Sequence, residues 1–175
     1  MADFTELLRE QIRHGLTAAQ QYLAAAVYFD AQRLPQLADQ TYAHATRHRG
    51  HALRMVQYLL DRDVAVRVGG LDEVRPDFDD PREAIAFLLA REETITTQIS
   101  ALAATARAAG DYLGEQFTQW FLREQVDEVA ALTTLLAVLD RDGNLFDVEE
   151  FVRRELPGTA KTDAAAPKMA GEGRA

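Results

Sequence analysis

The chain contains no cysteine, which excludes disulfides, thiolate metal sites and cysteine nucleophiles. Glycine and proline are scarce, at 10 and 5 of 175 residues, and such a composition argues against many short strands joined by tight turns. No apolar run approaches the roughly 20 residues that a membrane-spanning helix needs. The N-terminal stretch Met1–Gln11 is charged from its third residue and has no apolar signal region. Excess positive charge is missing too. The formal charge is −9, which repels nucleic acid and anionic membranes and is permissive for cations. These absences lead to the expectation of a soluble cytoplasmic protein with no nucleic-acid or membrane partner.

What remains is rich in helix formers. Hydrophobic residues make up 47% of the chain, and its length suffices for one domain with a real core. Leu8, Ile12, Leu16, Ala19, Leu23 and Ala26 recur every three or four residues, predicting a first helix from about Asp3 to Gln32. Pro35 suits a helical first turn, and the second helix is expected from there to about Leu60. Asp61 to Asp80 holds Gly69, Gly70, Pro76 and several aspartates, which is loop chemistry, with valines that an extended strand would suit. A connection of about twenty residues is long for a compact domain, but it is enough to climb a bundle and start the next helix parallel to the last.

Asp80, Pro81 and Glu83 form a helix-start signal. The third helix then carries Ile85, Leu88, Glu92, Ile95, Ile99 and Leu102 on one face. Gly110-Asp111 separates it from a fourth, whose stripe reads Phe117, Phe121, Gln125, Glu128, Leu132, Leu135 and Leu139. Asp142-Gly143-Asn144 ends that helix, and a short amphipathic fifth is expected at about Asp147 to Leu156, stopped by Pro157-Gly158. The Ala-, Lys- and Gly-containing end has almost no apolar anchors and reads as a flexible tail.

Polar residues interrupt three of these stripes. Glu92 replaces an apolar residue in the third helix, Gln125 and Glu128 in the fourth, and His44, His48, His51 and Met55 share a face of the second. A buried carboxylate must be paired, protonated or metal-bound. Singly, each has an ordinary explanation: a Glu paired with Arg at the bundle edge, or a hydrogen-bonded core His. Together they converge as bundle metal sites do, with carboxylates and imidazoles projecting from facing helices.

Three segments carry a family resemblance. Gly114–Val129 (GEQFTQWFLREQVDEV) resembles the fourth helix of bacterial non-haem ferritins. Thr17–Leu23 followed by Ala26–Asp30 resembles the first, and His51–Asp63 the end of the second. The resemblance spans about Phe4 to Glu155 and is strongest to actinobacterial ferritins. The expected fold class is therefore all-α: a ferritin-like four-helix bundle with one long crossover and a short fifth C-terminal helix, over residues 1–157, with the tail at 158–175.

The resemblance implies an iron-storage homo-oligomer, a cage of twenty-four subunits, with a ferroxidase centre in each. It implies metal ligands at His51, Glu92, Gln125 and Glu128, a nearby catalytic tyrosine at Tyr22, and iron-entry pores near Asp111, Glu115 and Gln119. An acidic helix N-terminus favoured by the macrodipole explains that last group equally well. Haem is not expected, because Met55 sits too near the metal-facing stripe to serve as its ligand.

Two positions depart from the pattern. Gly15 stands where the first-helix glutamate belongs, and His48 where the second-helix bridging glutamate belongs, with Arg47 before it. Two ferrous ions about 3.5 Å apart repel strongly, and the usual centre opposes them with carboxylates and a shared oxygen ligand. Half of that compensation is gone, so ferroxidase activity is expected to be weak or absent. Gly15 is also expected to leave a hole filled by water, His48 or Arg47. Three arrangements remain open: a metal-free polar network neutralised by Arg47 or protonated His48, a single ion on His48, His51, Glu92 and Glu128 (zinc, copper or iron), or a slow altered iron site. Corresponding functions are an iron-storage subunit that co-assembles with a catalytic ferritin, a non-iron scaffold, or a mononuclear metal protein.

Overall fold

The computed structural model describes residues 3–141, 144–156 and 163–173. Among these residues five helices form: α1 (Phe4–Ala31), α2 (Pro35–Asp61), α3 (Pro81–Ala108), α4 (Tyr112–Asp140) and α5 (Leu145–Glu155). Among the described residues there is no strand. No helix is long and apolar enough to cross a membrane. The residues expected to end α4 and α5, Asp142-Gly143 and Pro157-Gly158, lie outside the described residues, as does part of the tail.

Local chemistry sets the helix starts. Asp3 and Glu6 form a reciprocal capping box on α1, satisfying two N–H groups that the helix itself leaves unbonded. Asp80 accepts from Glu83 N at the head of α3, where Pro81 occupies the first turn. Leu34 offers α2 no side-chain cap. Instead Glu149 of α5 accepts from Gln36 N and Leu37 N, at 2.8 and 2.9 Å. A carboxylate here also meets the positive end of the α2 dipole, so this contact fixes α5 against the bundle. Asn144 caps α5 at Asp147 N, and the helix therefore begins two residues before the expected Asp147.

The crossover climbs along α1. Arg9 donates to Ala65 O, Asp72 N to Thr17 Oγ1, and Arg75 N to Gln21 Oε1, in that order along both segments. It thus carries the chain from the end of α2 to the end where α2 began, and α3 runs parallel to α2. The valines form no strand; Val64 and Val66 pack onto the core from extended loop.

The first helix corrects part of the expected stripe. Leu8, Ile12 and Ala26 are buried, but Leu23 is 40% exposed, and Tyr22, Ala25 and Phe29 point inward instead. A repeat of seven drifts by about 20° per heptad on a helix of 3.6 residues per turn. The run through Leu16 and Leu23 therefore walks off the buried face. Two apolar clusters fill the bundle, one around Leu8, Ile99 and Phe121, the other around Phe29, Ile85 and Leu135. The polar stripe residues lie between them.

Candidate metal centre

Glu92 sits at the middle of α3, wholly buried. Three side chains from three other helices meet its carboxylate. Tyr22 of α1 donates to Oε1 at 2.5 Å, His48 Nε2 of α2 lies 2.8 Å from the same oxygen, and Gln125 Nε2 of α4 donates to Oε2 at 2.9 Å. The Gln125 amide also reaches Glu92 O and Thr96 Oγ1. Every one of these partners is a donor or a cation, so the arrangement favours an ionised carboxylate. Burial alone would raise the Glu92 pKa, but His48, Tyr22 and Gln125 outweigh it and hold the group below its ordinary value. Burial opposes charge on His48 as well; the facing Glu92 carboxylate more than offsets this and raises the imidazole above 6.5. The phenol of Tyr22 is pushed far up by burial and by Glu92, so it remains a proton donor.

Glu128 lies one turn from Gln125 on α4 and is 2% exposed. Arg47 pairs with its Oε1. His44 Nδ1 is 2.6 Å from Oε2, but neither atom has a hydrogen-bond partner. Burial would raise this carboxyl too, yet His44, Arg47 and His48 bring it down to about 2. The Tyr22 ring is sandwiched between His44 and His48, with centroids 5.4 and 4.7 Å away. A cavity of about 20 Å³ beside Tyr22, Gln40 and His44 has room for one water.

His51 behaves differently. Its ring is packed edge-on against Trp120 and Phe121, and its Nε2 has no hydrogen-bond partner among the described residues. The nearest carboxylate oxygen, Glu124 Oε2, is 3.9 Å away. Burial, reinforced by His48, lowers its pKa to about 3, leaving it neutral.

The structure therefore brings together Tyr22, His48, Glu92, Gln125 and Glu128, turns His44 of the same α2 face inward beside them, and adds Gln40 and Thr96, which the sequence did not single out. His51 is adjacent but not joined to the network. Among the described residues, no group of three or more His, Asp or Glu side chains is placed to hold one metal ion. A zinc or copper site on His48, His51, Glu92 and Glu128 thus gains no support.

The expected hole at Gly15 is not there. A Cβ on Gly15 would lie 3.3 Å from Ala52 Cβ, closer than side chains normally pack. Gly15 marks a close approach of α1 to α2 rather than empty space, which is what small residues at a helix crossing permit.

The pore candidates sit away from this cluster. Asp111 caps α4 at Gly114 N and pairs with Arg62 at 3.1 Å, while Glu115 is held by Arg107. Gln119 lines a surface groove between α2, α4 and the segment at Ala165 to Pro167.

Residues 5–142 match the family described as ferritin-like domain. The chain is 55% identical over 169 residues to ferritin BfrB of Mycolicibacterium smegmatis, covering 96% of this chain and 93% of that protein. A bacterial non-heme ferritin of Staphylococcus aureus is 30% identical over 158 residues, covering 90% and 95%. Among solved structures, an open-pore ferritin from the hyperthermophilic archaeon Archaeoglobus fulgidus aligns with a TM-score of 0.81 at 26% identity, covering 87% of this chain and 97% of that one.

Proposed function

The chain belongs to the ferritin family, and on that premise we propose that it is an iron-storage cage subunit whose own cations occupy the two remaining ligand carboxylates, leaving ferroxidase activity weak or lost. The observation that carries this reading is the pairing of Arg47 with Glu128 and of His48 with Glu92. At His48, where the family pattern has a bridging glutamate, and at Arg47 before it, where that pattern often has a second one, this chain places basic side chains. The residues present do not fit a pair of ferrous ions. Two carboxylates remain, each already balanced, and no shared oxygen ligand faces them.

Tyr22 then acts as a donor that orients Glu92 rather than as a group beside an iron pair. Iron is cargo in this reading, oxidised elsewhere and deposited in the shell; a catalytic ferritin subunit, co-assembled in the same cage, is the source that fits. Assembly of this chain into a homo-oligomer is supported by apolar side chains left facing outward, and a cage of twenty-four is the assembly proposed. Leu23 and Val27 on α1 are 40% and 53% exposed, and Val68 and Leu71 of the crossover are exposed as well. Asp111, Glu115 and Gln119 are proposed to border an entry pore, and the cytoplasm is the compartment that an iron-storage shell without cysteine suits.

The test restores the lost charge. The variant Arg47→Glu/His48→Glu, with Gly15→Glu given space by Ala52→Gly, should oxidise Fe(II) aerobically at least tenfold faster than the native chain, read from ferric absorbance; a tenfold change corresponds to about 1.4 kcal/mol in the barrier. Equal rates in a folded variant would show that the altered positions are not what limits oxidation.

A further inference from the structure

The chain beyond α5 is not idle. Asp163 Oδ2 accepts from Trp120 Nε1 at 2.7 Å, and Asp163 Oδ1 accepts from Ala165 N at 2.8 Å. Arg54 of α2 lies over the Trp120 ring and donates to Pro167 O. Ala170 N donates to Leu53 O at 3.1 Å. Ala166 and Ala170 pack on the apolar cluster that contains Met55 and Trp120. Gly50, in the middle of α2, is where Met169 settles: a Cβ there would lie 3.5 Å from Met169 Sδ. A glycine inside a helix costs up to about 1 kcal/mol against alanine, and at this position its small size leaves a seat for the segment.

Beneath this segment the order is Trp120, then His51, then His48 and Glu92. The Trp120 and His51 rings are 5.3 Å apart, and those of His51 and His48 are 5.8 Å apart. His51 thus lies between this segment and the buried polar column, and its Nε2, unpartnered among the described residues, is kept from water by the layers above it.

We propose that residues 163–173 form a strap that clamps Trp120 over His51 and seals this end of the polar column against solvent. The clamp uses one side-chain acceptor, two backbone acceptors and a methionine seat, so it can be released without touching the column. Release opens a route from the α2–α4 face to His51, whether or not the column ever receives a cation.

Trp120 is the only tryptophan in the chain, so its fluorescence reads the clamp directly in the full-length protein. Gly50→Leu fills the methionine seat while raising helix propensity, and Asp163→Ala removes the indole acceptor at an exposed position. Each should raise the acrylamide quenching constant of Trp120 about twofold or more, as local opening does, with helical circular dichroism unchanged. Diethyl pyrocarbonate should acylate His51 faster in both variants, while His14, on a different face, reacts at the native rate. Native quenching and native His51 reactivity in both variants would overturn the strap. If Gly50→Leu proved poorly folded, Asp163→Ala alone would decide between these outcomes.

Discussion

Glu92 and Glu128 are buried to nearly the same degree in the same layer, yet they are neutralised by opposite means. Glu92 is satisfied from inside the bundle, by Tyr22, His48 and Gln125. Glu128 is paired at Oε1 from the rim by Arg47, whose side chain is a third exposed, while His44 lies against Oε2 from inside. One carboxylate therefore depends on a titratable imidazole that cannot reach water, and the other on a permanent charge that can. Two neighbouring basic side chains of α2, Arg47 and His48, thus serve two different carboxylates.

The comparison can be broken by deleting each carboxylate in turn. Glu92→Ala strands His48, Tyr22 and Gln125 without a partner, and should cost about 4 kcal/mol in urea unfolding, as removing one member of a buried pair does. Glu128→Ala should cost about half as much, roughly 2 kcal/mol, because Arg47 can turn to water and only His44 is left buried. Equal losses would mean that the two sites are not distinct.

A smaller effect separates them by pH. The pKa of His48 is raised in the fold, so its pairing with Glu92 stabilises fully below 6.5, the ordinary histidine value, and is lost as pH rises through the higher folded value. Glu128, lowered to about 2, stabilises above the ordinary carboxylate value of 4.5 and loses that contribution only as pH falls toward 2. Unfolding free energy measured from neutral to mildly alkaline pH should decline in the native chain and decline less in His48→Gln, while Arg47→Met leaves the slope unchanged. A native slope in His48→Gln would remove the titrating half of the comparison.

The smallest effect concerns the neighbouring crossing. Gly15→Ala gains helix propensity of up to about 1 kcal/mol, but its methyl group must displace Ala52 by a few tenths of an ångström. The net change in stability should stay within about 1 kcal/mol, and in an Ala52→Gly background it should become a gain.

Much of this was legible in the sequence because it follows from periodicity. The stripes of α3 and α4, with Glu92, Gln125 and Glu128 interrupting them, needed only a period of 3.6 to be placed, and the helix starts at Pro35 and Asp80 followed from first-turn proline and capping chemistry. Contacts between distant segments were not legible. The cap that Glu149 provides to α2 joins residues more than a hundred positions apart. The contact of Gly15 with Ala52 depends on how closely two helices cross, which composition does not report. The C-terminal segment reads as a tail because its alanines carry little apolar surface; residues 163–173 are held through backbone acceptors and one aspartate, and the only trace of that in the sequence is an otherwise unexplained glycine in α2.

The central claim is that the protein's own cations already neutralise the carboxylates that would hold iron. Anaerobic Fe(II) titration of the unmodified protein by calorimetry measures this most directly. No saturable binding of two ions per subunit is expected. Two tight ferrous ions per subunit, with heat lost in both Glu92→Ala and Glu128→Ala, would contradict it.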